Sequence, residues 1–299
     1  MSTESGHHEQ TTPSPLGMPV MAGVDGSHEA LTAAEVGAGE ARRRQVPLIL
    51  IHAFTWPWIW PPLTEEFHPT DPLPRTKANQ LLARAAEHLR GEDGGPKVVT
   101  RLVDGHAAAA LVDASREAAL VVVGHRGAGG FTELLAGSVA IHAAAHAHGP
   151  VMVVRGKITS SDAPVILGFD GSAGARLAAE FAFATAAQRG APVMAVTVWP
   201  TDRAWPDAVA AAGYPSPPAP SVVDSLGDLP SRYPQVPVHA KVVAGGSTAA
   251  VLARAADAAG LIVVGSRGFG GLRGLLLGSV GRTLIEHAPC PVTIVRPRE

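Results

Sequence analysis

The sequence predicts an α/β protein built from two tandem doubly wound domains, each a mainly parallel five-stranded sheet with helices on both faces. Two observations support this prediction. Short, continuously apolar runs alternate with longer Ala-rich segments, and the same order of motifs occurs twice along the chain. Such apolar runs are typical of strands buried on both faces, and their alternation with helices implies right-handed crossovers between parallel strands.

Length and charge agree with this prediction. The chain has 299 residues, whereas a single hydrophobic core rarely grows beyond about 250–300 residues. The 24 basic and 26 acidic side chains give a formal net charge of −2. That balance offers no electrostatic attraction for DNA, RNA or an anionic membrane, so we expect neither nucleic acid nor membrane as a partner.

No apolar run reaches the roughly 18 residues that a membrane span requires. Residues 1–19 are polar and lack the basic start and apolar stretch of a signal peptide. We therefore expect residues 1–19 to form a disordered N-terminal lead-in and the protein to be cytoplasmic. The single cysteine, Cys290, excludes an internal disulfide and a Cys-rich zinc site. We interpret it as a small buried residue, with redox sensing as the less favoured alternative.

The repeat is visible in four pairs of segments. MAGVDGS at residues 21–27 has its counterpart in ILGFDGS at 166–172, and LILIHA at 48–53 in VMAVTV at 193–198, both at an offset of 145. LVVVGHRG at 120–127 corresponds to LIVVGSRG at 261–268, and PVMVVR at 150–155 to PVTIVR at 291–296, both at an offset of 141. Because order and spacing are kept, we predict one domain at residues 20–156 and another at 163–299, joined by a short polar stretch.

Helical patterns lie between the apolar runs. Leucine and alanine recur at helical spacing across residues 81–89 and again across 251–259. The segments 55–75 and 199–220, which follow the second strand of each half, are rich in Pro and Trp and are predicted to run over the surface as loops. Trp56, Trp58 and Trp60 lie in the first of these segments and either pack over the sheet edge or form a contact patch.

The loop after the fourth predicted strand carries the most informative pattern. In the first half, Gly124 and Gly127 are followed, after nine intervening residues, by Gly137 and Ser138, and residues 265–279 repeat this spacing. Glycines after a buried strand allow a tight turn and the close approach of a ligand. The Gly-Ser pair opens the next helix, where free amides and the helix dipole attract anions. Two such turns at the carboxyl edge of a parallel sheet predict a cradle for a polyphosphate, and the serines can both cap the helix and donate a hydroxyl to phosphate or ribose.

This Gly-x-x-Gly, nine residues, Gly-Ser pattern resembles the ATP-binding signature of the universal stress protein family. The Asp-Gly-Ser after the first strand and the Pro-Val-x-Val-Val strand that ends the domain match that family too. The resemblance extends from about Val20 through both halves. It implies the universal stress protein fold in its tandem two-domain form, of the ATP-binding type, with ATP as cofactor, with or without Mg²⁺.

The resemblance also assigns positions to the nucleotide. The aspartates would meet the adenine or ribose edge, and the backbone of the second strand would face the adenine ring. The nucleoside end is assigned to Gly23, Asp25 and Ala53 in the first half and to Gly168, Asp170 and Val198 in the second. The phosphate end is assigned to Gly124, Arg126, Gly127, Gly137, Ser138 and Val139, and to Gly265, Arg267, Gly268, Gly278, Ser279 and Val280. One departure is visible, His125, where the second half has Ser266.

The sequence allows more than one role for two arginines and two aspartates of these segments. Arg126 and Arg267 either add charge at the phosphates or point to solvent. The glycines can instead serve only the close packing of strand against helix, with Asp25 and Asp170 capping the helix that follows. On that alternative interpretation the sites are empty.

The function implied by the resemblance is that of a nucleotide-dependent regulator or sensor of the stress response. No Gly-x-x-x-x-Gly-Lys-Ser/Thr loop occurs, and neither glycine segment contains a lysine. We therefore expect at most slow ATP hydrolysis and assign no catalytic residue. An interaction scaffold with one or both sites empty is the first alternative, and a nucleotide-handling enzyme such as a transferase is the second.

Partners are expected mainly from the last strand of each half. In the family this strand is an edge that pairs between domains, so the resemblance implies an intramolecular pseudo-dimer. Association into a homodimer and contact with an unidentified regulatory protein are further expectations. His142, His146 and His148 cluster only in the first half, so we interpret them as solvated or packed side chains and expect no metal site.

Overall fold

The computed structural model describes residues 17–55, 73–90, 95–129, 135–160, 162–199, 222–268 and 276–298. The strands of the first half are β1 (Val20–Gly23), β2 (Leu48–Phe54), β3 (Val98–Asp104), β4 (Leu120–Gly124) and β5 (Val151–Val154). Those of the second half are β6 (Val165–Gly168), β7 (Val193–Trp199), β8 (Val238–Ala244), β9 (Leu261–Gly265) and β10 (Val292–Val295). The helices of the first half are α1 (His28–Arg44), α2 (Leu73–Arg90), α3 (Ala107–Ala114) and α4 (Ser138–His146), with a 3₁₀ turn at Ser115–Glu117. Those of the second half are α5 (Ala173–Arg189), α6 (Val222–Ser225), α7 (Leu229–Arg232), α8 (Thr248–Ala255) and α9 (Ser279–His287).

The strands of the described residues form one continuous sheet in the order β3-β2-β1-β4-β5-β10-β9-β6-β7-β8. Neighbouring strands are parallel except for β5 and β10, which pair antiparallel with Met152 opposite Thr293. The predicted fold class is therefore confirmed. The two five-stranded sheets join edge to edge through their last strands, the pairing that the resemblance implied.

Both faces of the sheet are covered, which explains the continuously apolar strands. Along β1, Val20 and Ala22 belong to a cluster with residues of α1, α2 and α5, whereas Met21 belongs to a second cluster with residues of α3, α4, α8 and α9. Alternate side chains thus enter opposite cores. Of the described helices, none is both long and apolar enough to cross a membrane.

Three predicted boundaries differ from the structure. The helical pattern across 251–259 is helical only to Ala255, because the chain then turns so that the Gly260 amide bonds the Pro164 carbonyl at 3.0 Å and the chain enters β9. Residues 73–75 belong to α2 and not to a loop, since a proline in the first turn is compatible with a helix. Trp199 ends β7, where it is in register with Ala244 of β8.

The remainder of the two predicted surface loops, residues 56–72 and 200–220, lies outside the described residues, and so do residues 1–16. The predictions for Trp56, Trp58 and Trp60 therefore fall outside the described part of the chain.

Candidate functional site

The topology places one switch point in each half. The chain leaves β1 toward β2 on one side and later returns to β4 on the other, and β6 is flanked in the same way by β7 and β9. In open α/β sheets, ligands bind in the crevice outside the carboxyl ends of the strands at such a point. Both glycine loops begin there, because β4 ends at Gly124 and β9 ends at Gly265.

A cleft of about 390 Å³ opens at the switch point of the first half. Its volume lies within the range of about 300–1,000 Å³ that small-molecule sites occupy. Apolar side chains of Ile51, Leu111 and Val123 form part of its wall. All nine positions predicted for the first half line this one cleft: Gly23, Asp25, Ala53, Gly124, Arg126, Gly127, Gly137, Ser138 and Val139.

Asp25 joins the two loops that border the cleft. Its Oδ1 accepts hydrogen bonds from the Ser27 amide at 3.0 Å and the Ser27 hydroxyl at 2.6 Å, and its Oδ2 accepts one from the Ala128 amide at 2.7 Å. Three donors on one carboxylate fix its orientation. Asp25 therefore holds the β1–α1 loop against the loop that follows β4.

The helix caps differ from the sequence predictions. The residue that caps α1 is Ser27, whose hydroxyl accepts from the Ala30 amide at 3.2 Å, so Asp25 supports the cap and is not the cap itself. Ser172 caps α5 in the same way. Sequence reasoning missed both serines, although a serine directly before an Ala-rich helix is an ordinary N-cap signal.

Ser138 and Ser279 are the first residues of α4 and α9, and the N-caps are Gly137 and Gly278, which have no side chain to cap with. The prediction that these serines cap their helices is therefore wrong. Since a helix leaves its first amides without intrahelical partners, those of α4 and α9 are available to a ligand. Each N-cap amide instead bonds back to its own loop, Gly137 to the His125 carbonyl at 2.7 Å and Gly278 to the Ser266 carbonyl at 2.8 Å.

Two of the glycines are required for different reasons. A methyl group at Gly124 would lie 2.8 Å from the Glu29 carbonyl oxygen in α1, so packing of strand against helix alone explains this glycine. A methyl group at Gly127 would instead overlap the Asp25 carboxylate. The first case agrees with the packing alternative, whereas the second shows that Gly127 makes room for Asp25 at the cleft.

Basic side chains lie at the loop end of the cleft, the end bordered by the loop that follows β4. The Nε atom of Arg126 is buried and no described residue accepts a hydrogen bond from it. Burial, and then the positive charge of Arg155, lower the pKa of His125 below its ordinary value of 6.5. Burial, and then the charge of Arg126, lower the pKa of Arg155 in turn, so these three side chains lie within electrostatic reach of one another. Sequence reasoning did not include Arg155, which follows β5, in the site.

The second half repeats the framework with differences in detail. Oδ1 of Asp170 accepts from the Ser172 amide at 3.0 Å, and a methyl group at Gly268 would overlap the Asp170 carboxylate. Gly168 is packed more tightly than Gly23, because a methyl group there would lie 2.8 Å from Val264, whereas the nearest atom to one at Gly23 lies at 3.2 Å. The remaining predicted positions follow the same order: Val198 in β7, Gly265 at the end of β9, Arg267 exposed in the loop, and Gly278, Ser279 and Val280 at the start of α9.

The first-half histidines stack. The rings of His142 and His146 lie 4.0 Å apart, one turn apart on α4, and His146 Nδ1 bonds the His142 carbonyl at 3.0 Å. Within the described ranges, no group of three or more His, Cys, Asp or Glu side chains is arranged to hold a metal ion.

Comparison with known proteins finds that both halves of the chain match the same protein family. The model of the universal stress protein family matches residues 18–155 and again residues 163–296. A universal stress protein of Mycolicibacterium smegmatis is 34% identical over 294 residues, covering 93% of this chain and 97% of its own. One from Mycobacterium tuberculosis is 32% identical over 297 residues, covering 93% and 96%. Among solved structures, a universal stress protein from Archaeoglobus fulgidus has the same fold, with a TM-score of 0.69 and 19% identity, covering 95% of this chain and 99% of that one.

Proposed function

The chain belongs to the universal stress protein family, and on that premise we propose that it binds ATP at the switch point of each half and acts as a nucleotide-dependent regulator of the stress response. The observation that carries the proposal is the common location of the nine first-half positions. They come from four separate segments of the sequence, yet they border one cleft.

The loop end of this cleft suits an anionic group. The first amides of α4 are free of side-chain caps, and the positive end of the helix dipole faces the same place. Arg126 adds a guanidinium whose Nε has no described partner. Charge-assisted hydrogen bonds from an amide-rich turn and an arginine are the usual means of holding phosphates.

The other end suits a nucleoside. Gly23 and Ala53 present backbone beside an apolar wall that includes Ile51 and Leu111. A few polar groups on a mainly apolar surface are typical of sites that bind an aromatic base. Asp25 lies between the two ends, where its carboxylate can accept a hydrogen bond from ribose.

The same side chains support a ligand role for ATP more than a substrate role. Asp25 is the one carboxylate among the described residues that line the cleft, and it already accepts three hydrogen bonds. A phosphoryl-transfer site needs a group that positions water and ligands that hold Mg²⁺. Here Ser138 and the phosphates themselves would hold Mg²⁺, and the described lining contains no second carboxylate to act as a base. His52 also lines the cleft, but it lies next to Ala53 at the nucleoside end, and its Nδ1 bonds the Val24 carbonyl at 2.7 Å.

The test is the nucleotide content of the full chain. We expect calorimetry to show two ATP bound per chain, and the Asp25→Ala and Asp170→Ala variants to bind one each. Asp257→Ala, which removes an exposed carboxylate that precedes β9, whereas the glycine loop follows that strand, is the matched control and should bind two. Thermal unfolding of each variant verifies the fold. If the folded wild-type chain binds no ATP, the proposal fails and the interaction scaffold becomes the better hypothesis.

A further inference from the structure

Two helices each connect the site of one half to an arginine of the other half. Helix α4 begins at Ser138 in the first site, and α9 begins at Ser279 in the second. Each has nine residues, so its two ends are roughly 13 Å apart. The C-terminal end of each helix meets the opposite half of the chain.

Arg155, in the first half, holds the last turn of α9. Its Nη1 donates to the Ile285 carbonyl at 2.7 Å and to the Leu284 carbonyl at 3.4 Å. The last carbonyls of a helix lack intrahelical partners and carry the negative end of the dipole. A guanidinium at this place therefore stabilises the helix that opens the second site.

Arg296, in the second half, makes the reciprocal contact. Its Nε donates at 3.0 Å to the carbonyl of Ala147, the C-cap of α4. Its Nη1 donates at 2.6 Å to the carbonyl of Leu276, two residues before the N-cap of α9. Arg296 thus links the loop of the second site directly to the helix that opens the first.

Each arginine is also tied to the glycine loop of its own half. The His125 amide bonds the Val154 carbonyl at 2.9 Å, and the next residue after Val154 is Arg155. In the second half, the Ser266 amide bonds the Val295 carbonyl at 2.9 Å, and the next residue is Arg296. Each loop is therefore connected to the helix of the other site by a backbone hydrogen bond to β5 or β10, the peptide bond to the following arginine, and the hydrogen bonds of that arginine.

We propose that these two arginines couple the two sites, so that a nucleotide bound in one half strengthens binding in the other. The inference rests on the proposed function, because it requires a nucleotide in each half. The two states that it needs are a helix whose last turn is held by the arginine and one whose last turn is released.

The sign of the coupling follows from charge. Burial lowers the pKa of Arg155 most, and the positive charge of Arg126 lowers it further, so the two guanidiniums repel each other across the loop of the first site. An anionic ligand beside Arg126 offsets this repulsion and lets Arg155 remain at the end of α9. The C-terminal end of α9 is then already held when a second anion binds at its N-terminus. Binding at the second site therefore has to order less of the chain than it would if the first site were empty.

Calorimetric titration of the full chain with ATP measures the coupling. The affinity of the second site is compared between the wild-type chain, where the first site fills, and Asp25→Ala, where it does not. We expect the second site to bind at least about fivefold more tightly in the wild type. The coupling ratio is the affinity of the second site in the chain with Asp25 divided by its affinity in the Asp25→Ala variant. In the Arg155→Met/Arg296→Met background this ratio should be near one.

Arg298→Met is the matched control. Arg298 also joins the halves, donating to the Ala118 carbonyl at 2.7 Å and contacting the Met18 sulfur, and neither of these described bonds goes to α4 or α9. A coupling ratio that survives in Arg298→Met and disappears in the double variant supports the proposal. A ratio that disappears in both variants would mean that any weakening of the interface removes it, and the assignment to these two arginines would be wrong.

The outcomes separate the two proposals. Absence of ATP binding contradicts the proposed function, whereas two ATP bound independently, with a wild-type ratio near one, overturns only the coupling. If the double variant does not fold, each single Met variant is measured in its place. A ratio that stays at the wild-type value in both single variants overturns the proposal.

Discussion

The Glu40 carboxylate of α1 is completely buried and accepts two hydrogen bonds from Arg189 of α5, in the other half of the chain. Arg189 Nη2 and Nε lie 2.8 and 3.1 Å from Glu40 Oε1. Arg44 approaches the other carboxylate oxygen at 3.5 Å and also donates to Thr185 at 3.2 Å. The Glu40 carboxylate therefore forms ion pairs with arginines from both halves.

This cluster breaks the symmetry of the repeat. Glu40 and Thr185 are 145 positions apart, as are Arg44 and Arg189, so the second half has a threonine where the first has the carboxylate. Two copies of the second half would leave two arginines without a carboxylate, whereas Glu40 of the first half supplies one to Arg189. The buried charges thus disfavour pairing of two second halves.

We expect Glu40→Gln to reduce the free energy of unfolding by about 3–5 kcal/mol, because it leaves buried guanidiniums without their counter-charge. Urea unfolding followed by circular dichroism measures the loss. Glu35→Gln is the control, since Glu35 lies on α1 like Glu40 and pairs with His88 of α2 but is 47% exposed. Its loss should cost less than about 1 kcal/mol. Equal losses in the two variants would contradict the importance of the buried cluster.

Acid should remove the contribution of Glu40. Burial alone would raise the pKa of Glu40, but Arg189, Arg44 and Arg43 outweigh burial and hold it below its ordinary value of 4.5. A carboxyl group with a lowered pKa in the folded state stabilises the fold fully above its unfolded pKa and less as the pH falls through the folded pKa. The stability difference between wild type and Glu40→Gln should therefore be constant from pH 7 to about 4.5 and shrink below it. A difference that grows on acidification would contradict this sign.

Cys290 should be inert in the folded chain. It is 1% exposed, and burial raises its pKa to about 12, against the smaller opposing charge of Arg189. Because the thiolate is the reactive form, we expect Ellman's reagent at pH 8 to react with native protein only at the rate of unfolding. Protein in denaturant, which exposes the same single thiol, is the control and should react at once. Rapid reaction of the native chain would show that the thiol is accessible.

The local parts of the fold were predictable because their signals are local. Runs such as the one at residues 120–123 are apolar on both faces of a strand, and the helical spacing across residues 81–89 lies within α2. The repeat then implied that both halves share one topology. The family resemblance, carried by the glycine spacing and the Asp-Gly-Ser motif, assigned nine positions that border one cleft, since strand ends in a parallel sheet meet at one edge.

The side-chain contacts between the halves could not be predicted in the same way. Glu40 follows Gly37 at helical spacing on the buried face of α1, but its partner Arg189 is 149 positions away. Burial of a charge costs free energy unless a partner is present, and the sequence does not show which partner the tertiary fold supplies. The same holds for Arg155, whose acceptors lie 129 and 130 positions further along the chain.

Gly127→Ala should weaken ATP binding at the first site. The added methyl group would overlap the Asp25 carboxylate and displace it from the Ala128 amide. Loss of one hydrogen bond to a charged group costs about 1.5–3 kcal/mol, which corresponds to roughly tenfold or more in affinity. Calorimetry in the Asp170→Ala background isolates this site. Gly129→Ala is the control and should have a much smaller effect, because Gly129 also lines the cleft but a methyl group there meets no described atom within 4 Å. Comparable losses would mean that the Asp25 contact is unimportant.

Gly156 is required where the first half ends. Its φ is +61°, and a methyl group there would overlap the backbone of Pro289 in the second half, whose carbonyl also accepts from the Lys157 amide at 2.8 Å. Gly190, the C-cap of α5, has nearly the same φ of +67° but no atom within 4 Å of an added methyl group.

Comparison of these two glycines separates backbone strain from contact. Gly190→Ala should lower the free energy of unfolding only by the cost of placing an alanine in the left-handed conformation, roughly 1–2 kcal/mol. Gly156→Ala should cost that amount plus the overlap with Pro289, which typically adds about 1–3 kcal/mol. Urea unfolding of both variants measures the difference. If the two losses are equal, the chain at Gly156 can move away from Pro289, and the junction between the halves is less closely packed than the structure indicates.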